Sequence, residues 1–404
     1  MQRLNMTRRI RCGVIGFGRM GRGFVAAMLA NPAWEVAAIC DVHPVAREEA
    51  KAMCPGAKIT DNPDDIFADK TIDVVGLYTL ADARPGQIKK AMAAKKHVIA
   101  EKPIAADVKT EWALVEEIEK SGLLVAVNLF NRNAWYHKEI QRHIADGLIG
   151  ELAIVRVCHM TPGHMPSEGH EPEGPAFHDC GMHYVDVARW YANSEYERYH
   201  AQGVRMWNYK DPWWVQVHGN FKNGVVFDIT QGFVYGQLAK DKTHNCYVDC
   251  IGTKGIARMR HNFKDASIEV HGVDKTIVKT APFNDKKLDV MVDVFARSLI
   301  AGRNLGFPTP RDSVVASEVA YSMFKDAVKN HPPAVGSAKI MDEILEHRAN
   351  LRNGYGLPLH RPATEKGCTP AQVAKIGAQG QAAACGEDAC LNASAKRLRG
   401  DACA

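Results

Sequence analysis

The segment PAFHDCGMHYVDVARW, which runs from Pro175 to Trp190, carries side chains suited to proton transfer. The pattern predicts a helix over residues 178–191, in which Asp179 and His183, four residues apart, share a face. A histidine has a pKa close to neutrality, so it can exchange a proton with a substrate hydroxyl. The segment therefore predicts an acid–base site.

Two other interpretations of the same helix stay open. In one, Asp179 and His183 join other histidines in a tetrahedral zinc site. The flanking histidines follow no tight ligand spacing, so we predict no metal site. The histidines available to such a site would be His159, His164, His170 and His178. In the other interpretation, His183 is a hydrogen-bonded residue of the core, packed among apolar neighbours.

A strand, a glycine-rich turn and a helix follow one another near the start of the chain, as RCGVIG, GFGRMG and FVAAMLAN within residues 11–31. In the spacing G-x-G-x-x-G, the first glycine makes a tight turn and the second lets the backbone approach a pyrophosphate. The third lets the helix pack closely on the strand. The pattern predicts a dinucleotide site. The residues expected to contact the cofactor there are Gly16, Phe17, Gly18, Arg19, Met20 and Gly21.

An acidic residue follows the next predicted strand. EVAAIC ends at Asp41, 20 residues past Gly21, where a carboxylate binds the ribose hydroxyls of a dinucleotide. The same carboxylate repels a 2′-phosphate, so the sequence predicts NAD as the cofactor and disfavours NADP. His43 and Arg47 lie close by in sequence and keep NADP open as the less favoured alternative.

Strands and helices alternate up to residue 129, which predicts a doubly wound parallel sheet and a Rossmann domain over residues 8–129. In such a sheet, ligands bind outside the carboxyl ends of the strands. The further cofactor contacts expected at those ends are Thr79, Glu101, Lys102 and Asn128.

After residue 150 the pattern changes to consecutive strands separated by turns. It predicts an α+β domain over residues 130–361, with a large, mostly antiparallel sheet, so that the fold class is α/β with a second, substrate-binding domain. A type I′ turn is predicted at Asn223-Gly224. Two amphipathic helices, within 287–302 and 311–330, are expected to lie on this sheet.

Composition excludes several classes of function. The formal charge of +5 is mild and its basic residues are scattered, which argues against nucleic-acid binding. No apolar run reaches the ~20 residues of a membrane span. Eleven cysteines, an odd number without a signal peptide, predict reduced thiols and a cytoplasmic location. Residues 362–404 are rich in Ala, Gly and Gln, so this Cys-containing tail is predicted to lack a core.

Candidate substrate contacts lie around the predicted domain junction. The loop within residues 159–178 is rich in Pro, Gly and His and is well placed to border a substrate, although a plain connector is equally consistent. Trp213 and Trp214 point to opposite faces of a strand, so at most one can stack on a sugar, and core packing is favoured. Arg132 and Tyr136, near the predicted domain junction, are expected to contact a polyol or sugar, although a role in packing between the domains is equally consistent. His178, at the end of the loop, is a further candidate substrate contact.

Taken together, GFGRMG, Asp41, AEKPIA at 100–105 and FHDCGMHYVDVARW resemble the glucose-fructose oxidoreductase / inositol dehydrogenase / rhizopine catabolism family (Gfo/Idh/MocA) over residues 10–330. The resemblance implies that His183 is the general acid/base and that Lys102 polarises the substrate hydroxyl. It also implies that Asp179 holds the substrate or the histidine, and that the Lys102–Pro103 bond is a candidate cis peptide. The expected substrate is a sugar, sugar acid or cyclitol oxidised at a secondary hydroxyl.

The same resemblance implies a homodimer or homotetramer that pairs through the antiparallel sheet. One segment departs from the family pattern: TLADARPGQ follows the strand that ends at Thr79, where relatives have Thr or Ser, then Pro and a His.

Two rival functions stay open. One is a redox-assisted glycosidase or lyase that regenerates NAD in each cycle, and the other is an NAD-binding regulator without turnover.

Overall fold

The first part of the chain forms a parallel sheet flanked by helices. The computed structural model describes residues 8–162, 175–206, 211–236, 239–241, 243–283 and 286–330. The strands are β1 (Ile10–Ile15), β2 (Trp34–Cys40), β3 (Lys58–Thr60), β4 (Val74–Leu77), β5 (His97–Ala100) and β6 (Val125–Val127). The helices are α1 (Arg19–Leu29), α2 (Pro44–Met53), α3 (Asp64–Ala68), α4 (Arg84–Ala93) and α5 (Val108–Ser121).

This sheet has the doubly wound strand order β3-β2-β1-β4-β5-β6, with parallel pairing throughout. The order reverses between β1 and β4, so the carboxyl ends of these two strands border the crevice in which such sheets bind nucleotides. The strands are short, buried and rich in Val and Ile, as expected of a sheet covered on both faces. The predicted Rossmann fold is confirmed.

The second part forms an eight-stranded sheet in the order β14-β13-β12-β11-β7-β10-β9-β8. Its strands are β7 (Leu152–Met160), β8 (Tyr196–Val204), β9 (Trp214–Phe221), β10 (Val226–Gly232), β11 (Asn245–Gly252), β12 (Gly255–His261), β13 (Asp265–His271) and β14 (Thr276–Pro282). Of its pairings among the described strands, only that of β10 with β7 is parallel. The predicted mostly antiparallel sheet is confirmed.

Four more helices complete the described chain: α6 (Trp135–Ala145), α7 (Met182–Ala192), α8 (Leu288–Ala301) and α9 (Pro310–Asn330). The inner face of the large sheet forms one apolar core with α6, α7 and α9. Helix α8 differs from its prediction, because it packs on α1 of the first domain instead of on the large sheet. There Trp34 stacks on Phe295, with ring centroids 6.4 Å apart. The predicted domain boundaries stay predictions.

The hairpin between β9 and β10 does not contain the predicted type I′ turn. That turn requires positive φ at both central residues, but Gly224 has φ 88° while Asn223 is not among the residues with positive φ. Phe221 N donates to Val225 O at 2.8 Å, and Gly224 N donates to Phe221 O at 2.9 Å. The hairpin is therefore closed by a left-handed glycine. The Asn223 side chain donates to Ala192 O at 3.0 Å, a contact that the local sequence did not reveal.

A buried ion network fixes α7 to its neighbours. The Arg132 guanidinium, in the 3₁₀ turn Phe130–Asn133, binds both carboxylate oxygens of Asp186 at 2.6 and 2.7 Å and reaches Asp312 at 3.1 Å. Arg189 joins Asp312 at 3.4 Å and pairs with Glu195 at 2.5 Å. The network ties α7 to the domain junction and to α9.

Several predictions fall on residues that the structure does not describe. They concern the loop segment 163–174 and the tail 362–404. Within the part of the chain that is described, none of the helices has the length and apolar composition to cross a membrane.

We expect Asp186→Asn to lower the free energy of unfolding by about 3–5 kcal/mol, because it leaves the buried Arg132 charge without its bidentate partner. Denaturant unfolding measures the change. The matched control is Glu195→Gln, which breaks an ion pair of the same network whose acid is 46% exposed, and it should cost less than about 1 kcal/mol. Equal decreases in the free energy of unfolding of the two variants would contradict this explanation.

Candidate active site

The glycine turn after β1 has the geometry that a dinucleotide pyrophosphate requires. Gly16 has φ +91°, and a Cβ there would lie 2.7 Å from Tyr78 O. A Cβ on Gly21 would lie 2.1 Å from Gly16 O, whereas one on Gly18 would meet nothing within 4 Å. Helix α1 has no side-chain cap and no acidic residue in its first turn. Its first N–H groups therefore point into open space that suits a phosphate.

Asp41 lies at the carboxyl end of β2, next to this turn. Its Oδ2 accepts a hydrogen bond from Phe17 N at 2.7 Å, and its Oδ1 accepts one from His43 N at 2.8 Å. Arg47 donates to the backbone oxygens of Asp41 and Val42 at 2.9 and 3.0 Å. These bonds hold the Arg47 guanidinium against the backbone. The Asp41 carboxylate is then the charged group at the expected ribose position, which favours NAD over NADP.

The other expected cofactor contacts lie at three adjacent strand ends. Thr79 follows β4, and its Oγ1 donates to Gln87 Oε1 at 2.7 Å. Glu101 follows β5 and accepts from the Asn128 side chain, after β6, at 2.7 Å. Asn128 Oδ1 is buried and finds no hydrogen-bond partner among the described residues. An acceptor of this kind suits a bound group that donates hydrogen bonds.

Arg84 is a site residue that the sequence analysis missed. It lies in the segment that departs from the family pattern, where an arginine that begins a helix has no local signal of burial. Its side chain is buried and donates to Pro103 O at 2.5 Å and to Thr79 O. The bond between Lys102 and Pro103 is cis, as predicted. Arg84 thus joins the end of β4 to the segment that carries Lys102.

Lys102 and Asp179 meet across the domain junction. Lys102 Nζ donates to Asp179 O at 2.9 Å and also contacts Asp179 Oδ1. The two side chains are 12% and 4% exposed. Asp179 lies in a π-helical turn, Phe177–Gly181, which leads directly into α7. Such wide turns are rare and are frequently found at functional sites. The α-helix predicted over this segment therefore begins only at Met182.

His183, in the first turn of α7, is 6% exposed, and its ring packs on Phe130 with centroids 4.4 Å apart. Its Nδ1 is buried, with no hydrogen-bond partner in the described chain. Burial, together with the ammonium groups of Lys102 and Lys286, holds the pKa of His183 well below its usual value. The imidazole is consequently neutral at physiological pH and can accept a proton. The alternative of a hydrogen-bonded core histidine gains no support from this unpartnered nitrogen.

Three of the predicted substrate contacts have other contacts in the structure. Arg132 is held by Asp186 and Asp312 in the ion network. Tyr136 is 3% exposed and stacks on Phe283, with centroids 5.5 Å apart. These placements argue against contact with a substrate, because the guanidinium is already paired and the ring already packed. The positions of Arg132 and Tyr136 in the sequence, beside the domain junction, did not distinguish contact with a substrate from packing inside the protein.

His178, the third, lies within hydrogen-bond distance of α9. Its Nε2 is 2.9 Å from Ser317 Oγ, and its ring meets the Tyr321 ring edge at 5.5 Å. Ser317 also hydrogen-bonds the buried Glu111 carboxyl of α5. His178 therefore links the π turn to the first domain. Trp213 is buried against Phe233, with centroids 6.0 Å apart, in agreement with the core-packing alternative.

Comparison with known proteins agrees with this geometry. A family model described as an oxidoreductase family with an NAD-binding Rossmann fold matches residues 10–129, and one described as the GFO/IDH/MocA C-terminal domain matches residues 137–258. The predicted NAD-binding oxidoreductase is confirmed.

Similar relatives have related names. The chain is 24% identical over 264 residues to scyllo-inositol 2-dehydrogenase (NAD(+)) of Bacillus subtilis, covering 63% of this chain and 76% of that one. It is 25% identical to 1,5-anhydro-D-fructose reductase of Ensifer adhaerens, covering 81% and 91%. A solved scyllo-inositol dehydrogenase from Lactobacillus casei, with bound NAD(H) and scyllo-inositol, has a TM-score of 0.66 at 19% identity, covering 80% and 98%. This last likeness shows the shared fold.

Burial raises the pKa of Glu111 to about 8, against the opposing effects of Ser317, Ile104 N and Arg84. The pKa of Glu111 is higher in the folded state than in the unfolded state, so its contribution to the free energy of unfolding is complete below the unfolded pKa. That contribution is lost as the pH rises towards about 8. Glu111→Gln should remove this loss and so stabilise the fold at about pH 8 relative to about pH 5. Denaturant unfolding at both values tests it. The exposed Glu116→Gln, on the same helix, should leave the pH dependence as it is, and an unchanged slope in Glu111→Gln would contradict the prediction.

Proposed function

We propose that this chain, which belongs to the Gfo/Idh/MocA oxidoreductase family, transfers hydride between a secondary hydroxyl of a sugar, sugar acid or cyclitol and the nicotinamide of NAD. The observation that supports this best is the contact of Lys102, which follows β5 at the carboxyl edge of the parallel sheet, with Asp179, in the turn that leads to the neutral His183. One ammonium and one imidazole are the groups that alcohol oxidation needs.

In this proposal, His183 takes the hydroxyl proton as the carbon–hydrogen bond is lost, and it returns the proton in the reverse direction. A base in this position contributes about a hundred- to ten-thousand-fold in rate. Lys102 donates a hydrogen bond to the same oxygen and stabilises its developing negative charge. Asp179 holds the ammonium in place through its carboxylate and its backbone oxygen. When bound, NAD supplies the hydride acceptor.

The residues that would hold the dinucleotide are those of the glycine turn, Asp41 and the strand-end pair of Glu101 and Asn128. The open surroundings of Gly18 and the uncapped start of α1 support this assignment. The substrate class rests on the names of the relatives, which are inositol dehydrogenases and a reductase of an anhydro sugar. The sequence-based expectation of a homodimer or homotetramer, paired through the large sheet, stays a prediction.

The proposal is tested by screening cyclitols, sugars and sugar acids for NADH formation. We expect at least one of them to be oxidised. If no compound of the panel gives NADH while NAD still binds, the result would count against hydride transfer from these substrates. Release of a chromogenic aglycone without net NADH would instead indicate the redox-assisted glycosidase, for which the names of the relatives give no support.

We expect His183→Ala to lower kcat by about a hundred- to ten-thousand-fold while the Kd for NAD stays close to that of the wild type, because the ring acts on the proton and not on the cofactor. Steady-state kinetics and NAD titration measure the two effects. His218→Ala, at an exposed position on β9, is the matched control and should leave both unchanged. Loss of NAD binding together with turnover would identify His183 as a structural residue.

Asp41→Ser should raise the Kd for NAD by about ten- to a hundredfold, since hydrogen bonds to a charged group are lost, and should reduce the preference over NADP. Titration with NAD and with NADP gives the ratio of the two Kd values. The control is Asp146→Asn, which alters an exposed carboxylate that follows α6 and pairs with Arg142 at 3.2 Å. An unchanged ratio of the two Kd values in Asp41→Ser would mean that this carboxylate does not bind the ribose hydroxyls.

A further inference from the structure

A row of polar side chains crosses the inner face of the large sheet. His159 on β7 pairs directly with Cys246 on β11, and the register of β11 with β12 brings His261 to the other side of Cys246. Side chains at paired positions lie on the same face of a sheet. Two residues further along these strands, Val157 and Val248 belong to the apolar core. The three residues therefore continue the buried face of the sheet, with ligand-forming groups in place of apolar ones.

The spacing of these groups fits a metal ion after a small adjustment. The available ligand atoms of His159, Cys246 and His261 all lie within 4.8 Å of one another. Bond lengths of a tetrahedral zinc site place ligand atoms about 3.3–3.6 Å apart. Closing the remaining gap requires movements of about 1 Å, which rotations about the side-chain bonds provide. The residues come from three different strands, so their separation in the sequence gave no sign of the cluster.

Several polar atoms of this row have no hydrogen-bond partner in the described part of the chain. Nδ1 of His159 and Nδ1 of His261 are both buried without a partner among the described residues, and Cys246 Sγ has only a weak contact, 3.9 Å from Met160 O. Gln231, which pairs with His159 from β10, is 1% exposed, and neither atom of its amide is bonded in the described chain. Buried polar atoms are nearly always paired in folded proteins, so these point to a bound group.

Aromatic rings enclose the row. Tyr184 stacks on His159 at 4.6 Å and Phe283 on His261 at 4.2 Å, as measured between ring centroids. Phe263 presents its ring edge to His261 at 4.8 Å and has φ 62°, in the left-handed region that is uncommon for a bulky residue. An apolar shell of this kind limits the access of water to a metal site and keeps its ligands in place.

We propose that His159, Cys246 and His261 bind one divalent ion of the zinc class, with the fourth coordination position open to water or to an oxygen of a bound molecule. Imidazole and thiolate ligands select zinc or cobalt over magnesium and calcium. On binding, the ion replaces the thiol proton of Cys246, which passes to the solvent. The thiolate then offsets one of the ion's two charges, which matters because the nearby Lys286 ammonium opposes a cation.

This site is separate from Lys102, Asp179 and His183, and it departs from the sequence-based prediction of no metal site. Three protein ligands and an open position are typical of zinc sites that bind a further molecule. The site lies close to the proposed reaction centre, because the His159 ring stacks on Tyr184, which follows His183 in α7. Its existence does not depend on the hydride-transfer proposal.

The test uses the full chain, freed of metal with a chelator that is then removed, and titrated with cobalt(II) and zinc(II). We expect thiolate-to-cobalt charge-transfer absorption that zinc abolishes by competition. Cys246→Ser should remove this absorption, and His261→Ala should weaken cobalt binding by about a hundredfold or more. The matched control is Cys250→Ser, on the same strand and face. Cys250 is fully buried and pairs with Val155 and Ala257, neither of which can bind a metal.

Thermal unfolding separates loss of the site from loss of the fold. Zinc should raise the Tm of the wild type and of Cys250→Ser, but not that of Cys246→Ser, if each is folded without metal. Absence of the charge-transfer absorption from the wild type at excess cobalt would overturn the proposal. So would absorption that persists in both Cys246→Ser and His261→Ala, since other thiols, such as those of the tail, would then be the ligands. Neither readout involves NAD or substrate, so failure here leaves the hydride-transfer proposal standing.

Discussion

The ion pair of Lys102 and Asp179 is the contact on which the rest of the site depends. It joins a strand end of the parallel sheet to the turn that precedes α7, and so links the edge of the first sheet to the second domain. Removing two such groups from water is costly, and only good geometry with further hydrogen bonds offsets the cost. The structure provides these bonds: Asp179 accepts twice from the same ammonium, and Arg84 holds the neighbouring Pro103.

Polar contacts elsewhere in the interior position the same helix. Arg132 and Asp186 hold α7 from one side, while His178, through Ser317 and Glu111, holds the π turn from the other. These contacts explain why a helix with several buried polar residues is compatible with a stable core. Arg132, Asp186 and His178 are each paired, so the cost of their burial is reduced. Since His183 Nδ1 has no hydrogen-bond partner among the described residues, the group proposed for proton transfer is available to a bound molecule.

Much of the fold follows from local patterns. Alternating apolar strands and helices predicted the parallel sheet, and the spacing of Gly16, Gly18 and Gly21 predicted the turn, because both depend on backbone sterics within a few residues. The roles of Arg132, Tyr136 and His178 did not follow, since an arginine beside a domain junction can face a substrate or an aspartate 54 residues away. The contacts of these three side chains depend on tertiary packing, as in the pairing of Arg132 in the 3₁₀ turn with Asp186 of α7.

The sequence by itself determined the alternation of strands and helices, the glycine turn and the acidic residue after β2. Each of these depends on residues close together in the chain. The tertiary structure decided where α8 packs, how Arg84 is buried and that His159, Cys246 and His261 form one row. Those outcomes depend on strand register and on the contact of distant segments. Such contacts arise only when the chain folds, because they bring together residues whose separation in the sequence carries no signal.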